Sequence, residues 1–324
     1  MDSTTAKPVT ARIPVGISAC LLGEKVRYDA QHKRSAFCNE VLSQYFEFQP
    51  FCPEMAIGLG APRPTIRLVG QPGDLRAIQA TETPRDVTDD LALYADTVLS
   101  QQTQLCGFVF TEKSPSCGLF RVRAYNGKGN TLNDSSRGVF ARRITERWPL
   151  LPVEESGRLN DVDLCENFVL RVYAFHEWHN TVLPSVTPHV LIRFWSSYKY
   201  LVLAHDEKTY RQIGPRLANL AVDNFSALAN EVFEMLMRAL EKPSTRASNT
   251  NALQHLRGFI KNSIDDVEKQ TINTLINQYR AGHVPLIVPL AMLRHLLARY
   301  PDAYANDQRF LNPYPDALGL RNRK

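Results

Sequence analysis

The spacing of apolar residues changes character along the chain. In the first half, short apolar runs alternate with stretches of helical spacing. Pro14 to Ala19 reads as a strand ending at Cys20, and Phe46 to Phe51 as a second ending at Cys52-Pro53. Leu105 to Thr111 reads as a third, followed by the loop Ser114-Pro115-Ser116-Cys117-Gly118. Between them, Ser35 to Gln44 places Phe37, Val41, Leu42 and Tyr45 on one helical face. Asp86 is placed to cap a helix carrying Leu91, Tyr94, Val98 and Leu99.

Strands alternating with helices predict an α/β domain with a largely parallel, Rossmann-like sheet. In such sheets ligands bind beyond the carboxyl ends of the strands. Cys20, Cys52 and Cys117 each follow a predicted strand, so they are expected to converge on one sheet edge. The stretch from Leu150 to Leu159, with Pro149, Pro152 and Gly157, reads as a boundary. Helical spacing then continues over Asp163 to Thr181, Val190 to Ala204, Thr209 to Arg238, Ala252 to Arg280 and Pro289 to Tyr300. The polar stretch from Lys242 to Asn251 reads as a loop. The pattern predicts an α/β domain over residues 1–155 and an all-α domain over residues 156–324.

Composition narrows the class. Of 324 residues, 44% are hydrophobic and 22% charged, which fits a globular chain and excludes a disordered one. No apolar run approaches the ~20 residues of a membrane span, and MDSTTAKPVTAR has no apolar signal-peptide core. The expectation is a cytoplasmic protein with no membrane partner. There, six cysteines point to metal ligands, catalytic groups or buried small residues rather than disulfides. Residues 1–155 carry 18 Lys and Arg against 17 Asp and Glu, and residues 156–324 carry 20 against 16. That mild excess permits a nucleic-acid partner without demonstrating one.

The cysteines fall into two groups. Cys38, Cys106 and Cys165 sit within predicted apolar elements and read as buried small hydrophobes. Cys20, Cys52 and Cys117 stand in turns beside Gly, Pro and Ser. Their spacing is not that of a zinc knuckle or ferredoxin, and spacing alone leaves open whether they share a metal.

The motifs go further. Val15-Gly16-Ile17-Ser18-Ala19-Cys20-Leu21-Leu22-Gly23 is followed by Val26-Arg27-Tyr28-Asp29. Then come Cys52-Pro53-Glu54 with Gly58-Leu59-Gly60 and Pro62-Arg63-Pro64, and finally Ser114-Pro115-Ser116-Cys117-Gly118. This ordered set, over about the first 150 residues, resembles the thiouracil desulfidase family. The second half resembles a helical domain of unknown function through Ser197-Tyr198-Lys199-Tyr200, Tyr210-Arg211-Gln212-Ile213-Gly214 and Thr250 to His255. The tandem is similar to two-domain desulfidases that return 4-thiouridine in tRNA to uridine. Phe194-Trp195-Ser196-Ser197 departs from the helical motif, where a histidine is expected ahead of Tyr198-Lys199.

The resemblance implies a [4Fe-4S] cluster held by Cys20, Cys52 and Cys117. Three thiolates on four irons leave one iron open to the soft sulfur of a thiolated base. It implies non-redox hydrolysis of the C–S bond with release of hydrosulfide, Glu54 as general acid and base, and Ser114 assisting. Ser116 is a weaker candidate for the same task, and Ser114 also reads as an ordinary turn cap. The implied partner is thiolated tRNA or a small thiouracil, with no DNA. Two alternatives remain at this stage: desulfuration of free thiouracil, and a non-catalytic iron–sulfur module that binds RNA or senses redox state.

Other residues carry double readings. Arg63 and Arg67 read as solvated cations, or as receivers of phosphate or a base carbonyl. Arg121 and Arg123 alternate on a predicted strand. Tyr198, Lys199, His205, Tyr210 and Arg211 fit either an RNA-stacking surface or a tyrosine core with a basic wet face. His176 and His179 are three residues apart with no third ligand in view, so zinc is not expected.

Overall fold

β1 (Ile13–Ser18) is buried at five of its six positions because it lies inside a sheet covered on both faces. The computed structural model describes residues 12–132, 136–218 and 225–322; the N-terminal residues from which secretion was judged mostly lie outside them. β1 pairs in parallel with β2 (Phe46–Phe51) and with β5 (Phe108–Phe110), and β5 pairs with β7 (Val153–Glu155). The sheet is thus four parallel strands in the order β2-β1-β5-β7. Gly16 faces Phe108 in this register. A Cβ at Gly16 would stand 2.4 Å from the Phe108 ring. That ring stacks on Phe110 at 4.2 Å, and both meet Phe140 of α3 (Val139–Arg147). α2 (Thr88–Gln101) adds Tyr94 to Phe140. The N-cap of α2 is Val87 and not the expected Asp86, which stands one position earlier and accepts a hydrogen bond from the Thr88 N–H.

A second sheet interrupts the α/β pattern. β3 (Ile66–Gln71) and β4 (Asp74–Gln79) form a hairpin closed at Pro72-Gly73, where Gly73 has φ +91°. β6 (Ala124–Tyr125) joins β3 in parallel. Ile66, Leu68, Leu75 and Ala77 bury one face against Val87, Leu91 and Val139. The expected helix over Ser35–Gln44 is a five-residue π-turn followed by a 3-10 turn.

The chain divides into units 1–160 and 161–324, with β7 completing the first sheet. Among the described residues the second unit has no strand. Its helices are α4 (Val162–Glu177), α5 (Pro188–His205), α6 (Glu207–Leu217), α7 (Phe225–Leu240), α8 (Arg246–Ile260), α9 (Asp266–Arg280), α10 (Ile287–Arg299) and α11 (Ala303–Asn306). Asp161, Thr187, Asp206 and Asp302 accept from N–H groups at the starts of α4, α5, α6 and α11.

Two expected long helices are broken. Thr209–Arg238 is split between α6 and α7, and its residues 219–224 lie outside the described residues. Ala252–Arg280 is split because Asp265 and Glu268 form a capping box that starts α9. Thr245 and Ser248 likewise start α8 inside the polar stretch read as a loop. Trp178 stacks on Phe233 at 4.5 Å and meets Phe194 at 5.2 Å within this unit's core.

Candidate functional site

The carboxyl ends of β1, β2 and β5 open on one cavity of about 320 Å³. Cys20, Cys52 and Cys117 line it, together with Glu54 and Ser114. Cys20 lies in the 3-10 turn that follows β1, and Cys52 ends β2 as the N-cap of α1 (Pro53–Ala56). Cys117 lies in the loop beyond β5. Cys20 and Cys117 are buried, whereas Cys52 is partly exposed, with its Sγ 3.8 Å from the Val26 carbonyl.

The cysteine loop is fixed by its own backbone. Ser114 Oγ accepts from the N–H groups of Ser116 (3.2 Å) and Cys117 (3.0 Å), and the Gly118 N–H donates to the Ser114 carbonyl at 2.8 Å. Both loop neighbours are glycines for lack of room. A Cβ at Gly118 would stand 2.8 Å from the Ser114 carbonyl oxygen, and one at Gly138 would stand 2.5 Å from the Ser116 carbonyl. Past the loop, Glu155 accepts from the N–H groups of Leu119 and Phe120. Ser18 Oγ accepts from the Thr111 N–H at 3.0 Å, which ties the ends of β1 and β5 together.

Glu54 is held by both oxygens. Ser116 Oγ donates to Oε1 at 2.7 Å. Arg63 donates to Oε2 through Nε at 2.7 Å and through its second terminal nitrogen at 2.5 Å. Arg63 also donates to the Gly60 carbonyl at 2.6 Å. Its side chain is 3% exposed, and that of Glu54 14%. The reading of Arg63 as a solvated cation is therefore overturned: the Gly-Leu-Gly turn folds it inward onto Glu54. Nothing in the sequence spacing signals these contacts, since Ser116 is 62 residues from Glu54.

Electrostatics set the state of the three thiols. Burial pushes Cys52 up to about 11. It raises Cys20 as well, against the opposing effects of a Thr111 hydrogen bond and the charges of Arg27 and Lys33. Burial raises Cys117 most clearly, and the charges of Cys52, Glu54 and Cys20 add to it. Cys20 acts on Cys52, and both act on Cys117, so a cation among them would favour the thiolates. The donor set is three sulfurs without imidazole, which suits a soft metal and above all iron–sulfur. Among the described residues, no three His, Cys, Asp or Glu stand close enough to hold one metal ion. A cluster spreads its protein ligands over different irons, so thiols lining a cavity of this size fit it on donor chemistry.

Of the other residues that line the cavity, Lys33 pairs with Glu112 at 2.6 Å and Arg27 with Asp29, outside the lining, at 3.8 Å. Tyr28, also in the lining, is 44% exposed.

Several other sequence candidates are placed elsewhere. Cys38, Cys106 and Cys165 are buried, as read. Arg67 is exposed and lies over the Tyr125 ring. Arg121 has φ +52° and, with Arg123, precedes β6, so the expected strand through them is absent. In the helical unit, Tyr198 is buried and its hydroxyl donates to Glu177, while His205 Nδ1 meets the Lys242 carbonyl at 2.6 Å. Arg211 pairs with Glu207 along α6. His176 and His179 belong to no metal-holding group among the described residues.

A parallel α/β sheet with cysteines at three strand ends defines a candidate thiol or soft-metal site. Residues 15–156 match the model of the 2-thiouracil desulfurase family, and residues 199–315 match a family described as a protein of unknown function, DUF1722. The uncharacterized protein YbgA of Escherichia coli (strain K12) is 32% identical over 158 residues, covering 48% of this chain and 94% of that protein. A solved structure of the [4Fe-4S]-dependent thiouracil desulfidase TudS is 29% identical, covers 48% of this chain and 98% of its own, and has a TM-score of 0.37. The chain belongs to the family of the Escherichia coli protein, and it joins a 2-thiouracil desulfurase domain to a DUF1722 region. It is an enzyme of the desulfidase class.

Proposed function

We propose that this enzyme hydrolyses the C–S bond of 4-thiouridine in tRNA to give uridine and hydrosulfide. The α/β unit carries the chemistry and the helical unit holds the RNA. The observation that carries the reading is one cavity lined by the cysteines of three strand ends together with an anchored carboxylate.

Cys20, Cys52 and Cys117 would hold a [4Fe-4S] cluster. When bound, it supplies a soft Lewis acid that polarises a thiocarbonyl. The chain's own groups do the rest. Glu54, steadied by Arg63 and Ser116, accepts one proton from the attacking water and returns it to the departing sulfur, while the second is lost to solvent as the new carbonyl forms and hydrosulfide leaves. The water oxygen becomes the new carbonyl oxygen, so no electrons are exchanged with an outside carrier. Ser114 Oγ spends its lone pairs on backbone N–H groups, which leaves its own proton to donate into the cavity.

Glu54→Gln tests the assignment. Turnover on 4-thiouridine is expected to be lost while iron and sulfide content stay at the parent level. Unchanged turnover, or iron lost in step with activity, would overturn it. A second reading is favoured by the family's description as a desulfurase of a free base. There the substrate is a small thiouracil and tRNA is inert. Among the described residues no helix is long and apolar enough to cross a membrane, and no membrane or DNA partner is proposed.

A further inference from the structure

The helical unit carries a cluster of rings around one cation, which keeps Lys199 and Tyr210 of the residues first singled out there and adds Tyr200, His255, Phe259 and Tyr304. Lys199 of α5 places Nζ over the Tyr200 ring at 5.7 Å and over the Tyr210 ring of α6 at 5.6 Å. Tyr200 stacks on His255 of α8 at 5.7 Å with 25° between planes, and meets Phe259 edge-on at 6.0 Å. Phe259 in turn lies 5.3 Å from Tyr304 of α11.

Three features separate this cluster from ordinary core. His255 is exposed, and Phe259 is 38% exposed, although burial is the usual fate of a phenylalanine. Lys199, Tyr210 and Tyr304 are half-buried, so their rings and ammonium still face water. Burial raises both Tyr200 and Tyr304; Tyr304 and Tyr210 add to the shift of Tyr200, while Lys199 opposes that of Tyr304 by its charge and a hydrogen bond. Arg216, Arg299 and Arg309 of the same unit instead pair with glutamates.

We infer that Lys199, Tyr210, His255, Phe259 and Tyr304, packed over the buried Tyr200 ring (5% exposed), form a stacking platform for a single-stranded stretch of RNA. Exposed ring faces accept unstacked bases whatever their identity, and the ammonium among them takes a backbone phosphate. An RNA strand supplies an anion at every nucleotide. The inference rests on the proposal that the helical unit holds tRNA, and it names the surface that does so.

The test uses the full chain, with bulk tRNA and a fluorescent oligouridylate as probes over a range of KCl concentrations. Phe259→Ala is expected to weaken binding of both probes by about fivefold or more, the loss of one base stack. Lys199→Gln is expected to make the slope of log affinity against log salt shallower by about 0.7, the loss of one phosphate contact on a single strand. Lys269→Gln on α9 serves as the charge control and is expected to bind as the parent does. Circular dichroism and thermal melts check that each variant is folded. Parent-like affinity and salt slope in both variants, with the parent binding RNA, would overturn the platform alone. A parent that binds neither probe would overturn the tRNA reading itself, and the platform with it.

Discussion

Replacing Arg63 by alanine tests whether the geometry around Glu54 matters. The substitution removes two hydrogen bonds of 2.7 and 2.5 Å to one carboxylate oxygen and leaves a carboxylate that is 14% exposed facing the thiol cavity. Breaking a buried ion pair from one side costs about 3–5 kcal/mol, because the other charge stays behind uncompensated. Glu54 keeps some water and its bond from Ser116, so the lower end, about 3 kcal/mol, applies. For a unit of this size each kcal/mol lowers Tm by about 2–4 °C, which puts the fall at about 6–12 °C. Turnover should fall by about a hundredfold, the usual effect of displacing a catalytic group by an ångström. Lysine keeps the charge but not the planar fork, so Arg63→Lys is expected to fall between the two. Differential scanning fluorimetry and single-turnover desulfuration of 4-thiouridine read the two effects. Tm and turnover within error of the parent in Arg63→Ala would refute the claim that Arg63 holds Glu54.

Two further outcomes follow from the packing and from titration. Gly138→Ala puts a Cβ 2.5 Å from the Ser116 carbonyl, so it should lower stability by about 1–3 kcal/mol and reduce iron uptake. Gly214→Ala, whose Cβ meets nothing within 4 Å, should do neither. Burial pushes His205 down to about 4 from an ordinary 6.5. The unfolded chain therefore takes up this proton first as pH falls. Stability from this group is complete above about pH 6.5 and is lost towards pH 4, by at most about 3 kcal/mol. His176 and His179, also lowered by burial, act in the same direction. Urea melts of His205→Gln should show a flatter decline over that range, and an unchanged decline would refute the assignment.

The parallel sheet was legible because its central strands are uninterrupted apolar runs. β2 has the bounds of its run, Phe46–Phe51. The second sheet was not read, although Pro72-Gly73 sits between alternating Ile66, Leu68 and Leu75, Ala77. These short, half-buried strands give a weaker signal than continuous runs. β7 fell inside the stretch read as a boundary, because its prolines and glycine outweighed three strand residues. Helical periodicity showed where the second unit's helices lie but not where they break, since capping boxes at Thr245 and Asp265 are local hydrogen bonds with no effect on hydrophobic period. The three cysteines were placed by the strand-end rule. Arg63 and Ser116 were not linked to Glu54 because their bonds to it depend on how loops fold over the sheet edge, which periodicity does not encode.

The central claim is that Cys20, Cys52 and Cys117 together support desulfuration of 4-thiouridine in tRNA. The direct measurement is anaerobic. Iron and sulfide are reconstituted into the full chain, bulk tRNA is added, and the near-ultraviolet absorbance of 4-thiouridine is followed alongside hydrosulfide release. The account predicts loss of absorbance matched by hydrosulfide, with both abolished in each of Cys20→Ala, Cys52→Ala and Cys117→Ala and retained in Cys38→Ala. Turnover that survives any of the first three changes, or an iron-loaded parent that leaves tRNA untouched, would contradict it.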